Sequence, residues 1–277
     1  MTSIEQSIKK RLQIISREKN LSPAVVWQNL ITDRFLVRLC RSKYRLNFIL
    51  KGGTLLARQL NIGRETRDLD FSVESLHKDV ETLTQAMKEI ISIPVDDGFE
   101  FKNVKVESLS QFHMQYPGAQ IRLEASFGNT QFSLFIDLGF GDRVEPMETS
   151  VQLLSNSKGP LFETEIPLAC YPMEYVFAEK LETMIFRHAD NTRMKDFHDL
   201  WTMVTHPGVL DKEKTRSTMD IVFAHRNTSY QLPISFDPST LAALQINWQR
   251  YRPSLSNPGQ LPKNVSEVID AINQWIN

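Results

Sequence analysis

The run Phe132-Ser-Leu-Phe-Ile-Asp-Leu-Gly-Phe140 carries one charge, Asp137, in an otherwise strongly apolar stretch. That composition predicts a buried strand. A carboxylate in such a strand costs several kcal/mol unless it is paired or protonated, so Asp137 needs a partner. A second stretch, Asp68-Leu-Asp-Phe-Ser-Val73, alternates polar and apolar residues. The twofold period of a strand then sets Asp68, Asp70 and Ser72 on one face, and Leu69, Phe71 and Val73 on the other. Two acids projecting together repel unless a cation sits between them. An isolated Asp-x-Asp is no more than the polar face of an exposed strand. With Asp137 as a third acid, a shared divalent ion removes both costs. Mg²⁺ (or Mn²⁺) prefers hard oxygen donors and combines a few carboxylates with substrate phosphates. Asp137 would serve as a further metal ligand or as general base toward an attacking hydroxyl.

Upstream, Asn47-Phe-Ile-Leu-Lys51 reads as a short buried strand that breaks at Gly52-Gly53, with a helix over Thr54–Leu60. Strand, glycine pair and helix together suit phosphate binding, because glycine permits close approach to the backbone and the first helical amides point at the anion. The competing chemistries lack their signatures. There is no Gly-x₄-Gly-Lys-Ser/Thr loop, no Gly-x-Gly-x-x-Gly fingerprint and no Gly-x-Ser-x-Gly elbow. The polar approach Gly63-Arg-Glu-Thr-Arg67 argues against a covalent aspartyl mechanism, which would put its acid at the end of an apolar strand.

Charge is balanced, 32 basic against 33 acidic residues, which excludes a general field for coating nucleic acid. Lys9-Lys10-Arg11 and Lys212-Glu-Lys-Thr-Arg216 read as solvated helix faces. Cys40 and Cys170, with apolar neighbours, are expected to be small buried side chains, and the scattered histidines form no zinc motif. No apolar run reaches the roughly 18 residues of a membrane span, and the polar start lacks a signal peptide's apolar core. A cytoplasmic protein with no membrane partner is expected.

Helical spacing over residues 3–18, and from the Ser22-Pro23 start to about Ser42, predicts two helices ahead of the first strand. A helix over about 78–91 and strands near 100–108, 120–127 and 131–138 follow, the last two forming a hairpin around Gly128-Asn129. Gly159-Pro160 and Pro167 read as a linker, after which the chain is helical. Domains of 1–165 and 166–277 are expected. In the helix over 173–188, Lys180 falls inside the apolar stripe of Val176, Phe177, Leu181 and Met184, with Arg187 along its edge. Such cations either snorkel, pair with buried acids, or bind phosphate. Asp196, near the start of the next helix, suits either the helix dipole or an active site; Asp199 reads as structural.

Taken in order, Lys51-Gly-Gly-Thr-Leu-Leu, Arg64-x-Thr66-x-Asp68-Leu-Asp70, Ile136-Asp137-Leu-Gly-Phe-Gly-Asp142, Glu179-Lys180-Leu and Lys195-Asp196-Phe-His-Asp199-Leu resemble the AbiEii/AbiGii toxin family. These are nucleotidyltransferase-fold toxins of abortive-infection and toxin–antitoxin systems. The resemblance implies an α+β protein: a nucleotidyltransferase fold of the DNA-polymerase-β-like superfamily, with a small mixed sheet and flanking helices, followed by a helical C-terminal domain. It implies that Gly52, Gly53 and Thr54 cradle an NTP, with Lys51, Arg64, Thr66 and Lys180 as further nucleotide contacts; Arg187 joins them as a phosphate contact through its place along the helix stripe. Asp68, Asp70 and Asp137 would hold the metal, and Lys180 and Asp196 would join them in catalysis. The implied reaction moves a nucleoside monophosphate from an NTP to an acceptor, tRNA by the same resemblance, under the control of a cognate antitoxin. Alternatives are nucleotidylylation of a protein and a regulatory protein that binds nucleotide without turnover.

Overall fold

Ile8, Leu12 and Ile15 recur at helical spacing and are buried, so the first helix, α1 (Ser3–Glu18), lays one face on the core. Ser22 caps α2 (Pro23–Arg41), its hydroxyl accepting from the Val25 amide at 3.4 Å. The computed structural model describes residues 3–60, 62–66, 68–109, 118–142, 144–255 and 257–277. After α2 come β1 (Phe48–Lys51), α3 (Gly52–Gln59), β2 (Leu69–Val73) and α4 (Val80–Ile91). Three long strands follow, β3 (Phe99–Leu109), β4 (Gly118–Phe127) and β5 (Thr130–Phe140), then β6 (Met147–Gln152), β7 (Ser155–Asn156), β8 (Gly159–Pro160) and β9 (Glu165–Cys170). The remainder is helical: α5 (Met173–Arg187), α6 (Met194–Thr205), α7 (Lys212–His225), α8 (Pro238–Tyr251) and α9 (Val265–Ile276), with short 3₁₀ turns between.

Seven strands make one mixed sheet in the order β3-β4-β5-β2-β1-β9-β6. β2 runs parallel to β5, and β1 parallel to β9; the other neighbours are antiparallel. Period two sorts β4 and β5 cleanly. Ile121, Leu123, Leu134, Ile136 and Leu138 are buried on one face, against which α2 packs, with α4 beside β3. Trp27 of α2 lies over Phe127 and Phe132, with ring centres 5.9 and 5.1 Å apart. The opposite face carries Gln120, Arg122, Phe135 and Asp137.

Two compact units result: residues 1–61 with 65–171, and residues 62–64 with 172–277. The first holds the sheet and α1 to α4; in the second, α5 packs on α6 and α7, and α9 on α6 and α8. The stretch read as a proline-punctuated linker is corrected, since Pro167 lies within β9, opposite Ser150 of β6. Proline survives there because residues 167, 169 and 171 point their backbone groups to the same side. β1 reaches this side only at the end of β9, where Leu50 pairs with Cys170 and the Tyr171 amide donates to the Leu50 carbonyl at 3.0 Å. Pro167 has no strand to donate to on that side, and its carbonyl accepts from the Cys40 thiol at 3.2 Å. Cys40 is half-buried rather than buried as expected; Cys170 is buried, and burial pushes its thiol up to about 12.

Both basic runs also contribute fold contacts. Arg11 donates to the Gly159 and Pro160 carbonyls, each at 2.7 Å, and Arg216 donates to the Ile276 carbonyl at 2.6 Å.

Candidate active site

Strand register builds the site. Lys51 of β1 stands opposite Asp70 of β2, Asp70 opposite Asp137 of β5, and Asp137 opposite Gln120 of β4. Residues in register share a face, so one row carries both carboxylates side by side. Gln120 Nε2 donates to Asp137 Oδ1 at 2.8 Å. Among the described residues, no cation forms an ion pair with Asp137. Asp68 sits exposed just before β2, and its carbonyl accepts from the buried Thr54 hydroxyl at 2.7 Å. That bond ties the first turn of α3 to the entry of β2. Gly52 opens α3 at φ +69°, where a Cβ would lie 2.8 Å from Asp70 Cγ. The missing side chain lets the Asp70 carboxylate rest against the helix N-terminus.

Beside this row, Lys51 Nζ meets Asp142 Oδ2 at 2.6 Å, and the Tyr171 hydroxyl donates to the same oxygen at 2.7 Å. Gly139 of β5 lies beside them, 3.5 Å from Lys51 Nζ and 3.6 Å from Asp142 Oδ2 when measured from an added Cβ, an ordinary contact distance. The charge of Lys51 is thus held near the acid pair by a carboxylate of its own.

The second unit gathers a denser set of charges. Arg64 grips Asp199 with both edges of its fork, Nε to Oδ1 at 2.7 Å and Nη2 to Oδ2 at 2.6 Å. Lys180 Nζ lies 2.7 Å from Asp199 Oδ2 and 2.8 Å from Asp196 Oδ1, and Arg193 Nε reaches Asp196 Oδ2 at 2.7 Å. Burial alone would lift both aspartates and lower Lys180. Their mutual attraction outweighs it, so Asp196 and Asp199 are held below the usual carboxylate range and Lys180 above its ordinary value. Neighbouring His198 is pushed down to about 4 by burial, with Arg64 adding to the effect against Asp199; its Nδ1 lies 2.8 Å from the Tyr251 hydroxyl.

The family described as "Nucleotidyl transferase AbiEii toxin, Type IV TA system" matches residues 34–271, most of the chain. The chain belongs to this AbiEii family. It is therefore a nucleotidyltransferase of a toxin–antitoxin family, and that membership implies an NTP substrate and an antitoxin partner. Among solved structures it is similar to MenT4, a nucleotidyltransferase toxin from Mycobacterium tuberculosis H37Rv, at 18% identity and TM-score 0.58, covering 96% of this chain and 88% of that one. It is also similar to JHP933 from Helicobacter pylori, at 14% identity and TM-score 0.53, covering 92% of this chain and 91% of that one. At these identities the likeness speaks for the fold, which is the expected α+β nucleotidyltransferase architecture. No curated sequence matches significantly.

Within this AbiEii-family chain, Asp70, Asp137 and Lys51 come together in one row, with Gly52 against them. Asp68, Gly53 and Thr54 lie at its edge, and Thr66 is half-buried in the connection to β2. Lys180, Asp196 and Arg64 form the second cluster. Arg187 was expected to turn inward and is exposed instead, because the buried side of α5 ends at Met184 and the final turn, with Phe186, faces out. Among the described residues, no group of three or more His, Cys, Asp or Glu side chains forms a closed metal cage. The carboxylates of Asp70 and Asp137, hard oxygen donors in neighbouring register positions on one face, do fit a divalent ion. Gln120 and Tyr171 were not anticipated, and Asp142 was part of a matched motif but was given no role. The Asp142 signal was the Gly-Phe-Gly-Asp run just past β5; the other two follow only from register and tertiary packing.

No helix among the described residues is long and apolar enough to cross a membrane.

Proposed function

We propose that this AbiEii-family enzyme transfers a nucleoside monophosphate from an NTP to a hydroxyl of tRNA, in the cytoplasm, with Mg²⁺ or Mn²⁺ and under the control of a cognate antitoxin. The carrying observation is the Asp70–Asp137 pair, like charges in register beside a glycine-opened helix N-terminus. Two carboxylates in neighbouring register positions supply hard oxygen donors side by side, the ligand chemistry that a divalent cation takes. Asp68, Asp70 and Asp137 would hold the ion, which when bound neutralises phosphate charge. The amides of Gly52, Gly53 and Thr54 receive the triphosphate, with Lys51 and Thr66 as further contacts. Asp137 takes the proton of the acceptor hydroxyl as its oxygen bonds the α-phosphorus and the bond to the leaving pyrophosphate breaks. Lys180, Arg64, Arg187 and Asp196, expected from the sequence as further contacts, belong to the second unit, where Lys180 and Arg64 are taken up by Asp196 and Asp199 and Arg187 is exposed, so the reading rests on the residues of the sheet.

Incubating the protein with each α-labelled NTP, Mg²⁺ and total tRNA tests this. Label that RNase removes and protease does not, and that Asp70→Ala abolishes, is expected. Label that follows protease would transfer the reading to a protein acceptor. Tight NTP binding with no label under any condition would leave a binding protein without turnover.

A further inference from the structure

The polar face of β3, β4 and β5 continues outward from the acid row. One pleat repeat from Asp137, about 6.7 Å along β5, stands Phe135, a large aromatic side chain 40% exposed between Asp137 and Ser133 on the polar face. Its partner across the strand is Arg122 of β4, whose guanidinium carbon lies 5.7 Å from the Phe135 ring centre. Arg122 in turn stands opposite Lys105 of β3, and both are exposed. The next row carries Ser133, Glu124 and Lys102. A depression of about 240 Å³ opens there, lined by Lys102, Arg122, Glu124 and Ser133 among others.

Among the described residues, the buried face of β5 does not depend on phenylalanine at 135. The buried side of β5 is already filled by Leu134 and Ile136, and the polar pattern of its own face would accept a hydrophilic residue. An exposed ring flanked by a guanidinium and a lysine is the chemistry that receives an unstacked base and its phosphate. Charge on this face is mixed, with Glu100, Glu107 and Glu124 beside the cations, and Glu124 accepts from Asn103 Nδ2 at 2.6 Å. That mixture does not suit a surface tracking a long duplex, which needs many phosphate contacts. It suits one or two nucleotides held beside the reacting acids.

We propose that Phe135 and Arg122, with Lys105 at their side, form the platform on which the single-stranded 3′ end of the acceptor RNA stacks to present its hydroxyl to the Asp70–Asp137 pair. The ring carries a base, and Arg122 and Lys105 meet the phosphates that follow it. This rests on the RNA-acceptor reading above, and the tests of the two are separable.

Binding is measured first, without NTP, by fluorescence anisotropy of a 5′-labelled tRNA transcript with the full-length protein and its variants Phe135→Ala, Phe135→Trp and Arg122→Ala. Circular dichroism confirms that each variant folds. Phe135→Ala and Arg122→Ala are expected to weaken binding about tenfold, in keeping with the loss of one base stack, and Phe135→Trp to restore it. In the labelling assay, Phe135→Ala raises KM for the RNA and leaves KM for the NTP where it was. Equal binding by the wild type and the alanine variants overturns the platform while leaving tRNA labelling intact. Weakened binding by the variants, with label on protein or no label at all, keeps the platform and overturns the transfer reading. A Phe135→Trp variant as weak as Phe135→Ala shows that stacking is not the contact and also overturns the platform.

Discussion

In the helical unit, Asp196 and Asp199 each face two cations at 2.6–2.8 Å. In the sheet, Asp137 stands in register beside another carboxylate residue, Asp70, and accepts from the uncharged amide of Gln120. The two regions use the same residue type under opposite rules. The helical cluster settles its charges internally: Asp199 is fully buried, and each of its oxygens has a charged donor. Once removed from water, such a set is stable only while complete. The acid row is half-buried and sets two carboxylates in neighbouring register positions, an arrangement of hard oxygen donors that a divalent cation and an anionic substrate can use. Dense internal pairing is the mark of a positioning element, and carboxylates in register on one face of a sheet the mark of a site for a ligand.

The largest effect should separate these roles most sharply. Asp70→Ala is expected to lower nucleotide transfer by about 10²–10⁴-fold, a loss far larger than any shift in melting temperature accounts for. Near-normal transfer in a labelling time course would break the comparison. Asp199→Ala should do the reverse in a urea titration, costing about 3–5 kcal/mol, because Arg64 and Lys180 are left buried with too few partners.

The pH dependence of stability should also divide by region. His198 is lowered from 6.5 to about 4, so the folded state favours its neutral form. Its contribution is present above pH 6.5 and falls by roughly 2–3 kcal/mol as the pH drops toward 4. Asp196 and Asp199, held below 3.8, keep their full contribution above that value and lose it only as the pH falls through their folded values. Lys180, raised above 10.5, contributes fully below that pH and loses its share as the pH rises through its folded value. Urea midpoints across pH 4–7 should therefore flatten in His198→Asn; an unchanged slope would remove His198 from the account.

Smaller changes sharpen the sheet side. Gly52→Ala should cost about 1–2 kcal/mol from its left-handed backbone and reduce transfer further by displacing Asp70, read as a fall in kcat larger than any loss of stability explains. Tyr171→Phe, removing one hydrogen bond to Asp142, should cost about 0.5–1.5 kcal/mol in thermal melts and leave the fold intact.

Much of this was readable in residue order because the signals were local. Period-two alternation set Asp70 on the polar face of β2, the single charge in an apolar run marked Asp137, and helical spacing put Lys180 on the buried stripe of α5. Strands β6 and β9 were hidden because they depend on what lies beside them. β9 carries a proline that a strand tolerates only where a neighbour stops short, and no feature within residues 165–170 reveals where β1 ends. Arg187 misled for a related reason, since a helical stripe gives direction around the axis but not how far along it the packing continues.

By itself, the sequence determined the residue types, their faces and their order: acids on strands, glycines at a helix mouth, cations on an apolar helix stripe. Tertiary structure alone decided which charges meet. Register across β1, β2, β5 and β4 joined Lys51, Asp70, Asp137 and Gln120 in one row, and packing among helices joined Lys180 to Asp196 and Asp199. The physical reason is range. Alternation and helical period act within a few residues, whereas charge pairing acts across space between segments that only the folded chain brings together.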